Sequence, residues 1–364
     1  MIKKCSLLVA TLMLAGLFYL LLYPVTIDPV AWQAPDNPGY TGDYQVNSKL
    51  SALEHLDISP YTGPEDLIMD RQGQLYISVH EGKVLRMKPG KEQPEVFVDN
   101  LGRPLGLALD QNENLIIADA YQGLIKVTPK GEVSSLLSQV EGTPLVYANN
   151  LDIDRQGLIY FTEASSKFGA EENGGSYPAS LLDLMEHGGH GRLFQFNPDT
   201  GEVATLMSGL NFANGVALAH DEQSVFVNET GGYRVLRYWL DGPDKGQSEV
   251  MVSELPAFPD NLNRGLNGQY WVGLVSPRNK LLDAVSDRPF IRKMVQRLPA
   301  SLRPKATFYT HVIAFDDQGL ITQNLQDPEG VYPTATSVFE SEDTLYIGSL
   351  TAETLAWIKK SQLQ

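Results

Sequence analysis

A strand–turn–strand template that recurs six times after residue 48 constrains the fold more than any other feature of this sequence. Each copy has an alternating apolar strand, a polar turn with Asp or Gly, and a second strand rich in β-branched and aromatic residues. The copies are residues 65–77, 105–118, 149–162, 214–227, 260–272 and 336–348. Period-2 alternation with turn residues at fixed offsets indicates hairpins, and a repeat of about 40 residues or more is typical of four-stranded propeller blades. The sequence therefore predicts an all-β fold, a six-bladed β-propeller, over residues 49–364.

Two copies of the template carry long insertions between their second and third strands. The first insertion, residues 165–191, has a helical pattern at 179–186 followed by His187 and His190. The second, residues 276–310, has the pattern of an amphipathic helix pair and is strongly basic. Its basic residues are Arg278, Lys280, Arg288, Arg292, Lys293, Arg297, Arg303 and Lys305. Two interpretations of the basic segment 278–305 stay open: a solvated helical face, or a lid or patch that rests on anionic lipid.

The N-terminus has the pattern of a membrane anchor. Lys3 and Lys4 precede an uncharged, mostly apolar run from Cys5 to Ile27. About 20 apolar residues are enough for a helix to cross the hydrocarbon layer, and no small-residue cleavage site follows the run. Residues 1–27 are therefore predicted to be an uncleaved transmembrane helix. The two lysines favour a cytoplasmic N-terminus and a single-pass topology, with the propeller in the periplasm or another extracytoplasmic space. Residues 28–48, with several Pro and Gly, are predicted to form an extended linker.

Charge and motif content exclude several classes of function. The formal net charge is -16, which repels phosphate backbones, so nucleic acid is not an expected partner. Cys5 is the single cysteine, so no intramolecular disulfide can form. Phosphate-binding loops, zinc-type Cys/His spacing and dinucleotide fingerprints are absent from the sequence. Ser165 and Ser166 lack a G-x-S-x-G elbow, so a serine hydrolase triad has no support.

The first residues of successive copies point to a cation site. In a propeller the innermost strand of each blade lines the axial channel, so these residues converge although they lie far apart in the sequence. They are Glu65, Asn149, Asn214 and Asp260, with Asn261 adjacent. Two carboxylates and several amide oxygens form a hard-oxygen set that suits Ca²⁺. The alternative is that Asn and Asp at strand starts cap turns.

Several short motifs together resemble the strictosidine synthase-like proteins. The motifs are residues 63–66, 103–106, 118–124, 160–168, 213–216, 258–261 and 270–273. The resemblance is strongest to the branch of adipocyte plasma membrane-associated proteins, within the superfamily that also contains gluconolactonases and paraoxonases. It implies a six-bladed propeller on a single-span anchor with arylesterase activity. It also implies that Glu65, Asn149, Asn214 and Asp260 match the calcium ligands of the hydrolase members.

Two departures from the family narrow the expected reaction. The plant synthase carries a glutamate on the inner strand of its last blade, where this chain has Thr336 or Ser337, so strictosidine synthesis is not expected. Paraoxonases carry a histidine base on the second blade, where this chain has Leu105. No paraoxonase-like base is therefore expected at that position.

The sequence predicts a membrane-anchored, calcium-dependent hydrolase of carboxylic esters or lactones. Its candidate catalytic residues are Asp260 and Glu65, with Asp260 attacking the substrate or deprotonating a water on the metal. His187 and His190 are further candidates that would have to reach in from the first insertion. The alternative is a non-catalytic propeller that binds a ligand or a protein at the cell envelope and uses calcium only for rigidity.

Overall fold

A computed structural model describes residues 2–90 and 93–363, except for the side chains at positions 2, 3 and 5–10. Within these residues the predicted six-bladed β-propeller is confirmed, because six four-stranded antiparallel sheets follow one another along the chain. The inner strand of each blade contacts the inner strands of both neighbouring blades, and blade 6 contacts blade 1. The ring is therefore closed around a central channel.

Each repeat predicted from the sequence supplies the two innermost strands of one blade. From the channel outward, blades 1 to 3 consist of Leu67–Met69, Leu75–Val79, Lys83–Met87 and Glu95–Val98; Pro104–Leu109, Leu115–Asp119, Gly123–Val127 and Val133–Leu137; and Ala148–Ile153, Ile159–Glu163, Gly191–Phe196 and Val203–Leu210. Blades 4 to 6 consist of Ala213–Leu218, Ser224–Glu229, Arg234–Trp239 and Ser248–Val252; Ala257–Arg264, Tyr270–Pro277, Thr310–Phe315 and Ile321–Asp327; and Ala335–Glu340, Thr344–Ser349, Thr354–Lys359 and Glu54–Asp57. A two-stranded ribbon, Gln139–Val140 with Thr143–Pro144, lies between blades 2 and 3.

The last blade joins the two ends of the propeller chain. Its outermost strand, Glu54–Asp57, comes from the start of the propeller and pairs antiparallel with Thr354–Lys359. Hydrogen bonds between the first and last segments thus close the ring, which protects the edges that an open sheet would expose.

Apolar side chains on both faces of the blades form the core. Phe226 of blade 4 packs against Tyr270 of blade 5 with ring centroids 4.6 Å apart, and Tyr270 stacks on Phe315 at 5.3 Å. Aromatic pairs of this kind contribute about 0.5–1.5 kcal/mol beyond burial of their area. Because adjacent blades pack face to face, the second strands are buried almost throughout, which explains their β-branched and aromatic composition.

A β-bulge recurs near the beginning of five inner strands. The register of pairing shifts within the first four residues of the inner strands of blades 2, 3, 4 and 6, and at two places in the inner strand of blade 5. A bulge interrupts the alternation of side chains, so neighbouring residues can both point toward the channel. The predicted site residues Asn149, Asn214 and Asp260 lie within these bulged segments.

Three helices from the two insertions cover one end of the channel. The helix Ser176–Glu186 lies in the first insertion, and Lys280–Ala284 and Pro289–Arg297 lie in the second. Residues 28–36, called the strap below, have no regular secondary structure and contact both insertions. Val30 N donates to Glu186 O at 2.9 Å, and Trp32 N donates to Ser286 O at 3.2 Å. This part of the predicted linker is thus bound to the propeller along its length.

The N-terminal helix, Ile2–Leu22, ends on the second insertion. Arg297 donates from Nη1 to Leu20 O at 2.9 Å and from Nε to Tyr23 O, which satisfies carbonyls at the C-terminal end of the helix. The predicted transmembrane span is not confirmed: none of the helices has, over its described residues, both the length and the apolarity needed to cross a membrane. Part of the predicted apolar run, residues 5–10, lies outside the described side chains.

The basic residues of the second insertion do not form one solvated face. Arg278, Arg292 and Arg297 are buried, with exposed fractions of 7%, 2% and 7%. Their guanidinium groups donate to backbone carbonyls of the strap, of the N-terminal helix and of both insertions. These three arginines bind the second insertion to the strap, to the N-terminal helix and to the first insertion, so neither a solvated face nor a patch on lipid describes them.

Candidate active site

Four of the five predicted site residues line a single cavity. Glu65 precedes the inner strand of blade 1, and Asn149, Asn214 and Asp260 lie at the starts of the inner strands of blades 3, 4 and 5. All four side chains line a cavity of about 590 Å³ between the channel and the helices of the insertions. The propeller therefore brings together residues that lie up to 195 positions apart, from 65 to 260.

Hydrogen bonds from neighbouring strands fix the backbone at these positions. Thr162 Oγ1 donates to Asn214 O at 2.5 Å, and Asn228 Nδ2 donates to Asp260 O at 2.7 Å. The carbonyl of Glu65 accepts from Thr336 Oγ1 at 2.6 Å and from Ser337 Oγ at 2.9 Å. The hydroxyls at 336 and 337, where the plant synthase is expected to carry its glutamate, thus hold Glu65 in place.

The fifth predicted residue, Asn261, lies in the wall of the channel. Its Oδ1 accepts from Asn150 Nδ2 at 3.0 Å, and its Nδ2 donates to Glu65 O at 3.3 Å. Both ends of the amide are therefore engaged by protein groups. Asn261 is fully buried and is not among the residues that line the cavity.

Arg103 is the residue of this site that sequence reasoning missed. Its Nη2 donates to Glu65 Oε2 at 2.9 Å, and the two side chains are 1% and 5% exposed. Arg103 lies directly before the inner strand of blade 2, two residues before Leu105, whose side chain also lines the cavity. The sequence signal that could have identified Arg103 is a charged residue directly before an otherwise apolar inner strand.

Burial and neighbouring charges shift the pKa values of the two carboxylates, Asp260 and Glu65. Burial raises the pKa of Asp260 well above its usual value, and the negative charge of Glu65 adds to this rise. Burial also raises the pKa of Glu65, while Arg103 acts in the opposite direction. Asn214 Nδ2 donates to Asp260 Oδ1 at 2.7 Å and partly offsets the rise at Asp260.

The donor set fits a hard divalent cation. Asn214 Oδ1 is buried and has no hydrogen-bond partner among the described residues, so an oxygen lone pair is left for a ligand. With the two carboxylates and Asn149 it forms a set of oxygens of the kind that Ca²⁺ binds. Across the described residues, no three His, Cys, Asp or Glu side chains are grouped as a metal site. The amides would therefore have to complete the coordination.

Comparison with known proteins identifies the family. The model of the family described as "Strictosidine synthase" matches residues 149–243, and that described as "Strictosidine synthase-like, N-terminal" matches residues 42–87. The adipocyte plasma membrane-associated protein of Bos taurus is 33% identical over 372 residues, covering 96% of this chain and 88% of that protein. The chain belongs to the strictosidine synthase-like family. The two matched segments contain Glu65, Asn149 and Asn214.

Solved structures share the fold of this strictosidine synthase-like propeller. A gluconolactonase from Xanthomonas campestris superposes with a TM-score of 0.61 at 18% identity, covering 93% of this chain and 99% of that one. The calcium-binding protein regucalcin from Agrobacterium tumefaciens superposes with a TM-score of 0.60 at 14% identity, covering 84% and 93%. At these identities the likeness shows the fold alone.

Neither histidine of the first insertion reaches the cavity of this strictosidine synthase-like propeller. His187 is 8% exposed and stacks on Trp32 of the strap, with ring centroids 3.8 Å apart. His190 Nε2 lies 2.8 Å from Glu186 Oε1. His187 thus connects the first insertion to the strap, whereas His190 pairs within the insertion, and neither histidine is among the residues that line the cavity.

Proposed function

We propose that this propeller hydrolyses carboxylic esters or lactones and holds a calcium ion with Glu65, Asn149, Asn214 and Asp260. The observation that carries the proposal is the convergence of two carboxylates and two amides in one buried cavity, with Asn214 Oδ1 unpaired among the described residues. Further support comes from two proteins of the same fold, one a gluconolactonase and the other a calcium-binding protein.

The residues of the cavity have different roles in the proposed hydrolysis. When bound, calcium supplies a Lewis acid that polarises the carbonyl of the substrate and stabilises the developing oxyanion. Asp260 is the group that we assign as general base, because no histidine lines the cavity in the described part of the chain. Asn214 orients the Asp260 carboxylate through Nδ2, and Thr336 with Ser337 fixes the backbone of Glu65. The apolar walls keep bulk water away from the ester.

Hydrolysis with and without calcium tests this function. The full-length protein in detergent is offered aryl esters and lactones in the presence of calcium or of a chelator. Asp260→Asn keeps the size of the side chain and removes its basicity, so kcat should fall by about 10²- to 10⁴-fold. Glu229→Gln is the matched control, because Glu229 is an equally buried carboxylate that pairs with Arg234 outside this cavity. Unchanged hydrolysis in Asp260→Asn, or full activity in chelator, contradicts the proposal.

A second function is favoured by one observation. Arg103 already places a positive charge 2.9 Å from Glu65, as expected if the channel were rigid without a catalytic cation. In this case the protein is a propeller that binds a ligand or a partner and does not turn it over. Binding of a ligand without hydrolysis of any ester or lactone, with or without calcium, would favour this alternative.

We also propose that the N-terminal helix attaches the protein to a membrane. Leu12, Met13, Leu14 and Phe18 are each exposed by at least 63%. Contiguous apolar surface of this kind marks an interaction site. The name of the related protein from Bos taurus, which refers to the plasma membrane, agrees with attachment.

A reporter fused to the C-terminus tests the topology. Single-pass insertion with a cytoplasmic N-terminus predicts that the reporter is active only outside the cytoplasm; activity in the cytoplasm contradicts this topology.

A further inference from the structure

The cavity has opposite charges at its buried and exposed ends. Glu65 and Asp260 are 4% and 8% exposed, so they lie at the closed end. Arg303 and Lys305 of the second insertion also line the cavity, and both are more exposed. They are the basic residues among the described cavity-lining residues. A ligand that fills the cavity therefore meets carboxylates at the closed end and cations at the mouth.

Apolar side chains separate the two charged ends. They come from the helix of the first insertion, from the beginnings of the inner strands of blades 4 and 5, from the second strand of blade 5 and from the second insertion: Leu181, Leu184, Phe212, Phe258, Val275 and Leu282. A volume of about 590 Å³ is far larger than an ester or lactone group needs. Cavities of roughly 300–1,000 Å³ with apolar walls enclose ligands with a substantial apolar body. The walls are thus suited to an apolar chain or ring system that extends from the closed end to the mouth.

The two cations at the mouth are not neutralised by the protein. Arg303 Nε donates to Leu298 O at 2.7 Å, which orients its guanidinium group without compensating its charge. Among the described residues neither Arg303 nor Lys305 forms an ion pair. In the same insertion, Arg278 pairs with Asp283 and Lys293 pairs with Asp28. The charge at the mouth therefore remains available to a ligand.

We propose that the cavity binds an anionic amphiphile, with its apolar body along the walls and its anionic group between Arg303 and Lys305. The opposite orientation would take the anion away from Arg303 and Lys305 and, when no calcium is bound, would bring it against Glu65 and Asp260, where like charges repel. In the proposed orientation, the end of the amphiphile opposite its anionic group therefore reaches Glu65 and Asp260. If the proposed hydrolase function holds, the substrate is an ester or lactone whose reacting group lies at that far end. Recognition of the amphiphile does not depend on its turnover.

Binding of a matched pair of fluorescent probes tests this proposal. The probes are a long-chain fatty acid and the alcohol of the same chain, titrated into full-length protein in neutral-lipid nanodiscs and into empty discs. At low salt the acid should bind about tenfold more tightly than the alcohol, the ratio that one charge-assisted contact supplies. The double variant Arg303→Gln, Lys305→Gln should bind both probes equally. The double variant Lys280→Gln, Arg288→Gln removes two exposed cations of the same insertion that do not line the cavity, and should keep the preference.

Each outcome separates this inference from the proposed hydrolase function. Equal binding of the acid and the alcohol to the unaltered protein overturns the inference, as does a preference that survives in the Arg303→Gln, Lys305→Gln variant. If neutral esters are hydrolysed as efficiently as esters that carry a carboxylate at the opposite end of the molecule, the inference is overturned and the hydrolase function stands. Preferred binding of the acid, without hydrolysis of its aryl ester or of any other ester, overturns the hydrolase and leaves the inference intact.

Discussion

Arg103 donates a hydrogen bond of 2.9 Å to Glu65, and the two side chains are almost completely buried. The proposed calcium site therefore contains a cation of the protein itself. With Asp260 also ionised, the three groups carry a net charge of -1 rather than -2. This pair lowers the repulsion that two facing carboxylates would otherwise create, and it also competes with a divalent cation for Glu65.

Replacing Arg103 by Met should increase the dependence of stability on calcium. In chelator, Arg103→Met leaves Glu65 buried without its partner, and removing one partner of a buried pair costs about 3–5 kcal/mol of the free energy of unfolding. Calcium should restore part of this loss, because ligand binding to the folded state stabilises it. Thermal unfolding with and without calcium measures the effect. Arg192→Met, which breaks the ion pair with buried Glu163 outside the cavity, should be destabilised without a larger response to calcium.

Removing both members of the pair should cost less than removing one. Glu65→Gln alone leaves the Arg103 cation buried and unpaired, so it should destabilise the fold by about 3–5 kcal/mol. The double variant Arg103→Met, Glu65→Gln leaves no uncompensated charge from the pair, and its loss should be smaller than the sum of the single losses. A double-mutant cycle by denaturant unfolding measures this difference. Strict additivity would show that the pair carries no coupling.

The blades were predictable because their signal is local. Alternation over a few residues and a turn at a fixed offset identify each hairpin, and six copies in one order leave few alternatives to a closed ring. The convergence of Glu65, Asn149, Asn214 and Asp260 followed from the same repeat, since each one begins a copy. The repeat also accounts for the bulges, because they recur at the same position of the inner strands.

The partners of the charged residues were not predictable in the same way. Arg103 lies 38 residues from Glu65, and their contact depends on how blade 2 packs against blade 1. Arg292 has the pattern of a charged residue on an amphipathic helix, which hydropathy assigns to solvent. It is buried because carbonyls from the strap and both insertions meet at one place, and only the tertiary structure creates that meeting.

Arg292 should be the main connection between the two insertions. It is 2% exposed and donates to Met185 O at 3.0 Å, to Ser286 O at 3.0 Å and to Val30 O. Arg292→Met leaves these carbonyls without their charged donor, and each lost buried partner costs about 1–3 kcal/mol. We expect faster limited proteolysis of the insertions and a lower midpoint of denaturant unfolding. Arg288→Gln, at an exposed position of the same segment, should stay within about 0.5 kcal/mol of the parent. Equal proteolysis of both variants would show that Arg292 does not hold the insertions together.

His187 should make the fold less stable in acid. Burial, with Arg292 and Arg234 nearby, lowers the pKa of His187 from 6.5 to about 3, while the unfolded chain keeps the ordinary value. Between these pKa values the unfolded state binds one more proton than the folded state, so stability falls as the pH is lowered from about 6.5 toward about 3. One such proton lowers the free energy of unfolding by at most about 1.4 kcal/mol per pH unit. The loss should appear in denaturant unfolding at successive pH values.

His187→Asn isolates this contribution, because Asn tolerates the left-handed backbone at this position, where φ is 52°. The variant loses the stack on Trp32, so it should be less stable than the parent at pH 7. Its stability should nevertheless fall less steeply between pH 6.5 and pH 4, because the titrating imidazole is gone. His55→Asn, at an exposed position of the outermost strand of blade 6, should keep the parent's slope. A slope in His187→Asn equal to that of the parent would mean that His187 is protonated in the folded state, and that its stack on the strap does not exclude the charge.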